Sequence, residues 1–376
     1  MIRYLRPASS ERSLRIREAG LKYLIIGSVG SATMLYGFAL IYGATGSTDY
    51  AGIASAAAKT GFNSDVMFLT GVGLSIVGLA FKSSLAPFHQ WTPDVYEGAP
   101  TPVTAYMSVA TKVAGFAATI RLLDVALGGA FADWKPLWEA IAVVSILVGN
   151  VGALGQTSLK RMLAYSSIAQ AGYLLVGFIV GTAGGVEAVM YYLAVYLFAN
   201  LAAFSVVIAR ARETDREDDM SALRGLGSSS PVLASVMTLA MLSLAGIPAT
   251  AGFIGKFNLI SSAVDGGETW LGIVIVVGSM ISLAYYLPVI ATMWAGGDPA
   301  PARPREDPRT GLPVLAGASP DADELSIEEP DDGIRTAGIE VTVIAAVLGL
   351  ATLIFGVVPQ LLFDLVDGAA RSLGLS

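Results

Sequence analysis

Lys82, Lys112 and Lys256 are the residues of this chain whose type and setting could do chemistry. Each lies inside a long apolar run. A lysine at the centre of a membrane helix costs about 2.5–3.5 kcal/mol on insertion scales, and such residues usually mark ion or proton paths. The chemistry open to them is proton uptake and release, or action as a fixed charge on a neighbour. Lys112 is the clearest case, ten residues from Pro102 and nine from Arg121, with no interface within reach of its side chain. His89 follows Lys82 by seven residues, which on a continuous helix puts both on one face; a capping or packing role is the competing reading for this histidine.

The elements that must position these residues are membrane helices. Of 376 residues, 54% are hydrophobic and 14% charged, where soluble domains carry about 25% charged residues. With no cysteine and one histidine, the chain cannot build disulfides, thiolate metal sites, iron–sulfur clusters or a histidine-rich metal centre. The net charge of −7 argues against a nucleic-acid partner. A spanning helix needs about 20 apolar residues, and the chain divides into nine such segments: 20–44, 65–91, 101–127, 137–155, 161–181, 185–209, 231–264, 269–295 and 338–363. Runs such as IAVVSILVGNVGALG lack the alternation of a transmembrane barrel. The fold class is therefore all-α and integral to a membrane.

Lysines and arginines gather on alternate loops, from Arg3 through Lys160, Arg210 and Arg303 to Arg335, while the opposite loops hold Lys59, Arg121, Lys135 and Arg371. By the positive-inside rule the N-terminus is cytoplasmic and the C-terminus outside. The opening MIRYLRPASSERSLRIR is not a cleavable signal peptide, because the apolar run after it is too long. It reads as an interhelix loop. Residues 297–336, rich in Pro, Asp and Glu, read as a disordered cytoplasmic linker.

Two segments interrupt themselves. Pro87 cannot donate to the carbonyl of Ser83, which leaves that carbonyl open to the Lys82 ammonium or to water. The 34 residues of 231–264 would run about 51 Å as one helix; they must break within LAGIPATAGFIGKF, at Gly246, Pro248, Gly252 and Gly255. Broken membrane helices are tolerated where they line a polar path, and they point to ion sites in transporters built of inverted repeats. The breaks lie five helices apart, which suggests an inverted pair with one lysine each.

The bland readings differ in strength. One membrane lysine can snorkel or act as polar glue; three of them, two beside breaks, fit that reading poorly. Asp94 and Glu97 read as turn and helix-start residues, and Glu139 and Glu187 as carboxylates in the first turns of helices. No Asp or Glu lies in the middle of any span. Either desolvation keeps the lysines neutral part of the time, or their partner acid lies elsewhere.

FKSSLAPFHQWTPDVYEGAPTPVTAYMSVATKVAGFAATIRLL (81–123), LKRMLAYSSIAQAGYLLVG (159–177) and MLSLAGIPATAGFIGKF (241–257) together resemble, in order, subunit N of the bacterial proton-pumping NADH:quinone oxidoreductase, respiratory complex I. WTPDVYEGAPTPV favours that subunit over its sisters L and M and over sodium/proton antiporter complexes. The resemblance implies a fold of fourteen membrane helices with two inverted five-helix repeats, of which this chain matches helices six to fourteen. On that scheme 1–19 is a basic cytoplasmic segment, 20–155 the remainder of the first repeat with its broken helix at 65–91, and 156–296 the second repeat with its broken helix at 231–264. The linker 297–336 and a last helix within 337–376 follow.

The resemblance further implies that Lys82, Lys112 and Lys256 match the lysines of the seventh, eighth and twelfth helices, a polar axis that relays protons. The family's key glutamate lies on the fifth helix, before the matched region, and Glu18 does not match it. Many relatives have a histidine at Gln170, so a relay there needs water or a neighbouring side chain. No cofactor is expected in this chain; flavin mononucleotide, iron–sulfur clusters, NADH and quinone belong to partner subunits, among other membrane subunits in a bacterial plasma membrane. The rival expectations are a component of a sodium/proton antiporter complex and a non-conducting scaffold subunit.

Overall fold

The computed structural model describes residues 7–61, 65–213, 219–296 and 338–372. The linker expected at 297–336 lies outside the described residues. The elements are helices: α1 (Pro7–Thr45), α2 (Tyr50–Thr60), α3 (Val66–Lys82), α4 (Trp91–Gly98), α5 (Thr101–Ile120), α6 (Phe131–Ala153), α7 (Leu159–Ile179) and α8 (Ala183–Glu213). They continue with α9 (Leu226–Ser229), α10 (Pro231–Ala245), α11 (Ala251–Asp265), α12 (Thr269–Trp294), α13 (Ile339–Val357) and α14 (Gln360–Ser372). Among the described residues there is no strand, only an isolated bridge between Ser158 and Asp219.

Six helices are long and apolar enough to cross a membrane, within α1, α6, α7, α8, α12 and α13, and α3 and α10 are shorter apolar helices. Their outward faces carry the exposed Leu24, Val29, Met280 and Val347, side chains suited to lipid. In contrast α7 is buried along nearly its whole length, so the helix bearing Gln170 forms the centre of the bundle. Close approach of helices rests on small residues. A Cβ on Gly37 of α1 would stand 2.6 Å from the backbone nitrogen of Ser75 on α3.

Several expected boundaries are corrected. The first helix is already formed at Pro7, ahead of the start expected near 20, with its apolar span at Ile16–Thr45. Within the expected outer loop, the alanine-rich α2 forms behind its N-cap Asp49, whose carboxylate accepts from Gly52 N at 2.6 Å. The last expected segment, 338–363, is divided at Val358 and Pro359 into α13 and α14.

Both expected breaks are present, with different shapes. The first begins at Ser83, well before Pro87: α3 ends at Lys82, Ser84 has φ 60°, and α4 starts at Trp91. Lys82 and His89 therefore do not share a helical face, and the proline is not what opens the Ser83 carbonyl. The second break follows Ala245. Gly246 (φ 84°) closes α10 in the left-handed conformation, its N–H and that of Ile247 both reaching Leu242 O at 3.0 Å. Ala249 has φ 71°. Each break thus holds one non-glycine residue in the left-handed region, a conformation that costs of order 1–3 kcal/mol and persists where surrounding structure enforces it.

At one end of the bundle Lys135 on α6 bonds to Glu268, just before α12, and Trp270 Nε1 donates to the other Glu268 oxygen at 2.8 Å. The lysine bond, reinforced by the indole, holds the Glu268 carboxyl below the usual glutamate range despite partial desolvation.

Two outcomes follow from this packing. Gly252→Ala places a Cβ 1.8 Å from Ser243 O, whereas Gly73→Ala meets nothing within 4 Å. Thermal unfolding in detergent should show the first destabilised by about 1–3 kcal/mol and the second unchanged or slightly stabilised. For Glu268, a depressed folded value makes its contribution present above the unfolded value, about 4.3, and lost as pH falls through the lower folded one. The gap in thermal midpoint between wild type and Glu268→Gln should be constant at neutral pH and close below about pH 4; a gap that widens on acidification would refute this.

Candidate functional site

Among the described residues, the fully buried charged side chains are all cations: Lys112, Lys160, Arg210 and Lys256. No aspartate or glutamate joins them. Each of the four donates to a backbone carbonyl, and for Lys112, Lys160 and Lys256 that carbonyl lies at or beside the end of α3, α4 or α10. Lys112 Nζ donates to Ser83 O at 3.3 Å, Lys160 Nζ to Ala99 O at 3.1 Å and Arg210 Nε to Ala222 O at 3.0 Å. Lys256 Nζ donates to Leu244 O at 2.9 Å and Ala245 O at 3.1 Å. The last carbonyls of a helix lack intrahelical partners and carry the negative end of its dipole, so a break in the membrane supplies partial negative charge without a carboxylate.

The open Ser83 carbonyl expected from the sequence is there, but its donor is Lys112 of α5 rather than Lys82. Lys82 is half-buried at the end of α3 and forms no salt bridge among the described residues. His89 is half-buried in the break, its Nδ1 without a hydrogen-bond partner; Ser83 Oγ and Ser84 Oγ in the same break also lack one. The sequence pattern paired Lys82 and Lys256 with the two breaks; the hydrogen bonds pair Lys112 and Lys256 with them.

Gln170 stands beside Lys256. Its Nε2 donates to Leu244 O at 3.0 Å, the carbonyl that Lys256 also uses, and to Tyr286 OH at 3.3 Å. Its Oε1 accepts from Tyr192 OH of α8. The Lys256 ammonium also lies 4.8 Å from the ring centroid of Tyr173, within cation–π range. Asn150 of α6 links Tyr173 OH at 2.8 Å and Tyr285 OH at 2.9 Å, and Ser166 pairs with Tyr286. Near Lys112, Ser108 lies one turn earlier on α5. Its Oγ accepts from Asn200 Nδ2 at 2.6 Å and its carbonyl from Tyr196 OH at 3.2 Å. This tyrosine, serine and asparagine shell was not read from the sequence, because hydroxyls and amides in apolar helices are too common to single out without knowing which faces meet.

Asp94 and Glu97 are more than turn residues. Arg161 Nη1 lies 3.2 Å from Asp94 and 2.9 Å from Glu97, and Lys22 Nζ lies 2.7 Å from both Asp94 and Glu18. This network ties α1, α4 and α7 together at the end of the bundle where the first break emerges. Glu139 lies 3.9 Å from Lys135, and Glu187 is half-buried in the second turn of α8. Among the described residues no group of three or more metal-ligating side chains is assembled.

The site is that of a helical membrane protein with two interrupted helices, a buried lysine held on the end carbonyls of each. The comparisons agree: the family described as NADH:quinone oxidoreductase/Mrp antiporter, TM, matches residues 5–282. The chain belongs to this family. It is 49% identical over 291 residues to NADH-quinone oxidoreductase subunit N of Trichlorobacter lovleyi, a match covering 77% of this chain and 60% of that protein. Among solved structures it matches a chain of respiratory complex I from Thermus thermophilus with bound aureothin at TM-score 0.70 and 33% identity, covering 92% of this chain and 68% of that one. A chain of the Mrp complex from Dietzia sp. DQ12-45-1b matches at TM-score 0.79 and 27% identity, covering 95% and 68%. The chain spans 60% of the length of the first relative and 66% of that of subunit N 1 from Herpetosiphon aurantiacus.

The shared Leu244 carbonyl makes Gln170 a packing determinant. Gln170→Leu strands Tyr192 OH and removes one donor from Leu244 O, and a buried unpaired polar group costs about 1–3 kcal/mol. The thermal midpoint should drop accordingly; a midpoint equal to that of the wild type would show that these bonds contribute nothing to stability.

Proposed function

We propose that this chain is a proton-translocating membrane subunit of an NADH:quinone oxidoreductase, with Lys82, Lys112 and Lys256 as relay sites and His89 and Gln170 as accessory positions. The observation that carries the reading is the pair of buried lysines held by break carbonyls with no buried carboxylate among the described residues. Such a cation is compensated by dipoles alone, so its protonation responds to any charge arriving nearby. At an effective dielectric of about 20, two unit charges 8 Å apart interact by roughly 2 kcal/mol, enough to change the occupancy of the next site about 30-fold. Moving one charge along the axis can therefore load or empty its neighbour. The hydroxyls of Ser83 and Ser84 and the free nitrogen of His89 at the first break are groups that can exchange hydrogen bonds with water along such a path.

In this reading the redox chemistry belongs to partners. NADH oxidation, flavin, iron–sulfur clusters and quinone sit on other subunits, and this chain contacts sister antiporter-like subunits in a bacterial plasma membrane. Its N-terminal side is cytoplasmic and its C-terminal side outside, and 20–155 and 156–296 form the inverted repeats. The TM-score of 0.79 to a chain of the Mrp complex favours a second reading, a component of a sodium/proton antiporter complex. The 49% identity to a subunit N favours the first.

In membrane vesicles from the source cells, Lys112→Ala and Lys82→Ala should lower the protons taken up per NADH oxidised while leaving subunit content unchanged. Normal uptake in both variants would sink the relay. Uptake that depends on sodium rather than on NADH would establish the second reading instead.

A further inference from the structure

An ammonium has three N–H bonds to place. For Lys256 two of them go to neighbouring carbonyls at the end of α10, Leu244 O at 2.9 Å and Ala245 O at 3.1 Å. The remaining partner is a ring: Nζ lies 4.8 Å from the centroid of Tyr173 on α7, within the distance at which an aromatic face attracts a cation. The stem of the lysine is committed to this course, because it passes Gly246, where a Cβ would stand 2.9 Å from Lys256 Cδ. Lys112 at the first break is held differently, by one carbonyl at 3.3 Å.

The ring is itself fixed. Tyr173 is completely buried, and its hydroxyl oxygen accepts from Asn150 Nδ2 at 2.8 Å. The Asn150 amide is tied down in turn, since Nδ2 also donates to Ile146 O at 2.9 Å and Oδ1 accepts from Tyr285 OH at 2.9 Å. Gly278 of α12 leaves the room that the phenol needs: a Cβ there would stand 2.7 Å from Tyr173 OH. Side chains of α6 and α12 thus set where the Tyr173 face lies. The hydroxyl anchors the ring and the face meets the cation.

We propose that Tyr173 is a positioning residue for Lys256, its anchored ring being the third partner that aims the ammonium at the two break carbonyls. This rests on the proton-relay reading above and adds to it a residue that carries no proton itself. The attraction of a ring face is for charge, and a neutral amine gains nothing comparable. The ring therefore holds Nζ on the carbonyls while it is an ammonium and loosens its hold once the proton has gone. With no carboxylate buried among the described residues, the carbonyl dipoles and the ring quadrupole compensate this cation together.

The test uses the complete membrane complex in vesicles from source cells carrying Tyr173→Leu, Tyr173→Phe or Lys256→Ala, or mono-, di- or trifluorophenylalanine at position 173 by suppression of a stop codon. Fluorine withdraws charge from the ring face and barely changes the ring's shape, so the series separates attraction from packing. If the ring positions the ammonium, proton uptake per NADH falls stepwise with each fluorine, to at least about twofold below Tyr173→Phe in the trifluoro form. Tyr173→Phe, which keeps the face but gives up the Asn150 anchor, stands between wild type and Tyr173→Leu. Equal uptake across the fluorinated series, with Lys256→Ala impaired, overturns the role of the ring and leaves the relay reading intact. Wild-type uptake in Lys256→Ala overturns both. A fall in complex content in step with uptake assigns Tyr173 to packing and also overturns the proposal.

Discussion

The structure depends on one interaction, the bond from a buried cation to the carbonyl end of a helix. Lys112 and Lys256 make it at the two breaks. In a low-dielectric interior an unpaired ammonium is expensive, and the usual remedy is a carboxylate. Here the remedy is backbone. A helix that ends inside the bundle leaves carbonyls unpaired, and a lysine from a neighbouring element satisfies them; the break and the lysine each remove a cost the other would incur.

That mutual need explains the surrounding architecture. The break after Lys82 is stabilised by Trp91 Nε1 donating to Phe81 O at 3.3 Å and by Ala86 N donating to Ser145 Oγ at 2.9 Å, so α3 can end without orphaned groups at every position. The break after Ala245 is closed from within by Gly246 and by Gly252 N donating to Ser243 Oγ at 3.1 Å. Around both, α7 is sunk in the centre and α1, α12 and α13 turn apolar side chains outward. The polar interior is thereby insulated from lipid, and its hydrogen bonds are strengthened accordingly.

Much of this was legible in the sequence, for identifiable reasons. Lysines within apolar runs stand out against the cost of inserting them, and a 34-residue apolar segment studded with glycine and proline announces its own break. What was not legible was partnership. Pro87 looked like the cause of an open carbonyl at Ser83, yet the chain leaves the helix at Ser83 itself and the donor comes from α5, 29 residues on, across a contact that periodicity does not specify. Asp94 and Glu97 looked local because a carboxylate near a helix start is commonplace. Their partners, Lys22 and Arg161, lie on α1 and α7 and are found only when the helices are packed.

The same limit explains why the hydroxyl and amide shell was invisible while the lysines were not. A charge in a membrane is improbable in any context and so carries information on its own; a tyrosine or serine gains meaning only from what it faces. Gln170 shows the difference. As a sequence letter it reads as a departure from a titratable histidine, a weakened relay. In the structure its two ends are fixed, Oε1 by Tyr192 and Nε2 by Leu244 O and Tyr286, so the residue shares a carbonyl with Lys256 and sets the geometry of that ammonium's surroundings. A neutral side chain at this position competes for the carbonyl without competing for the proton. In the proposed relay the charge step would be confined to the lysines, with the amide as a rigid support beside Lys256.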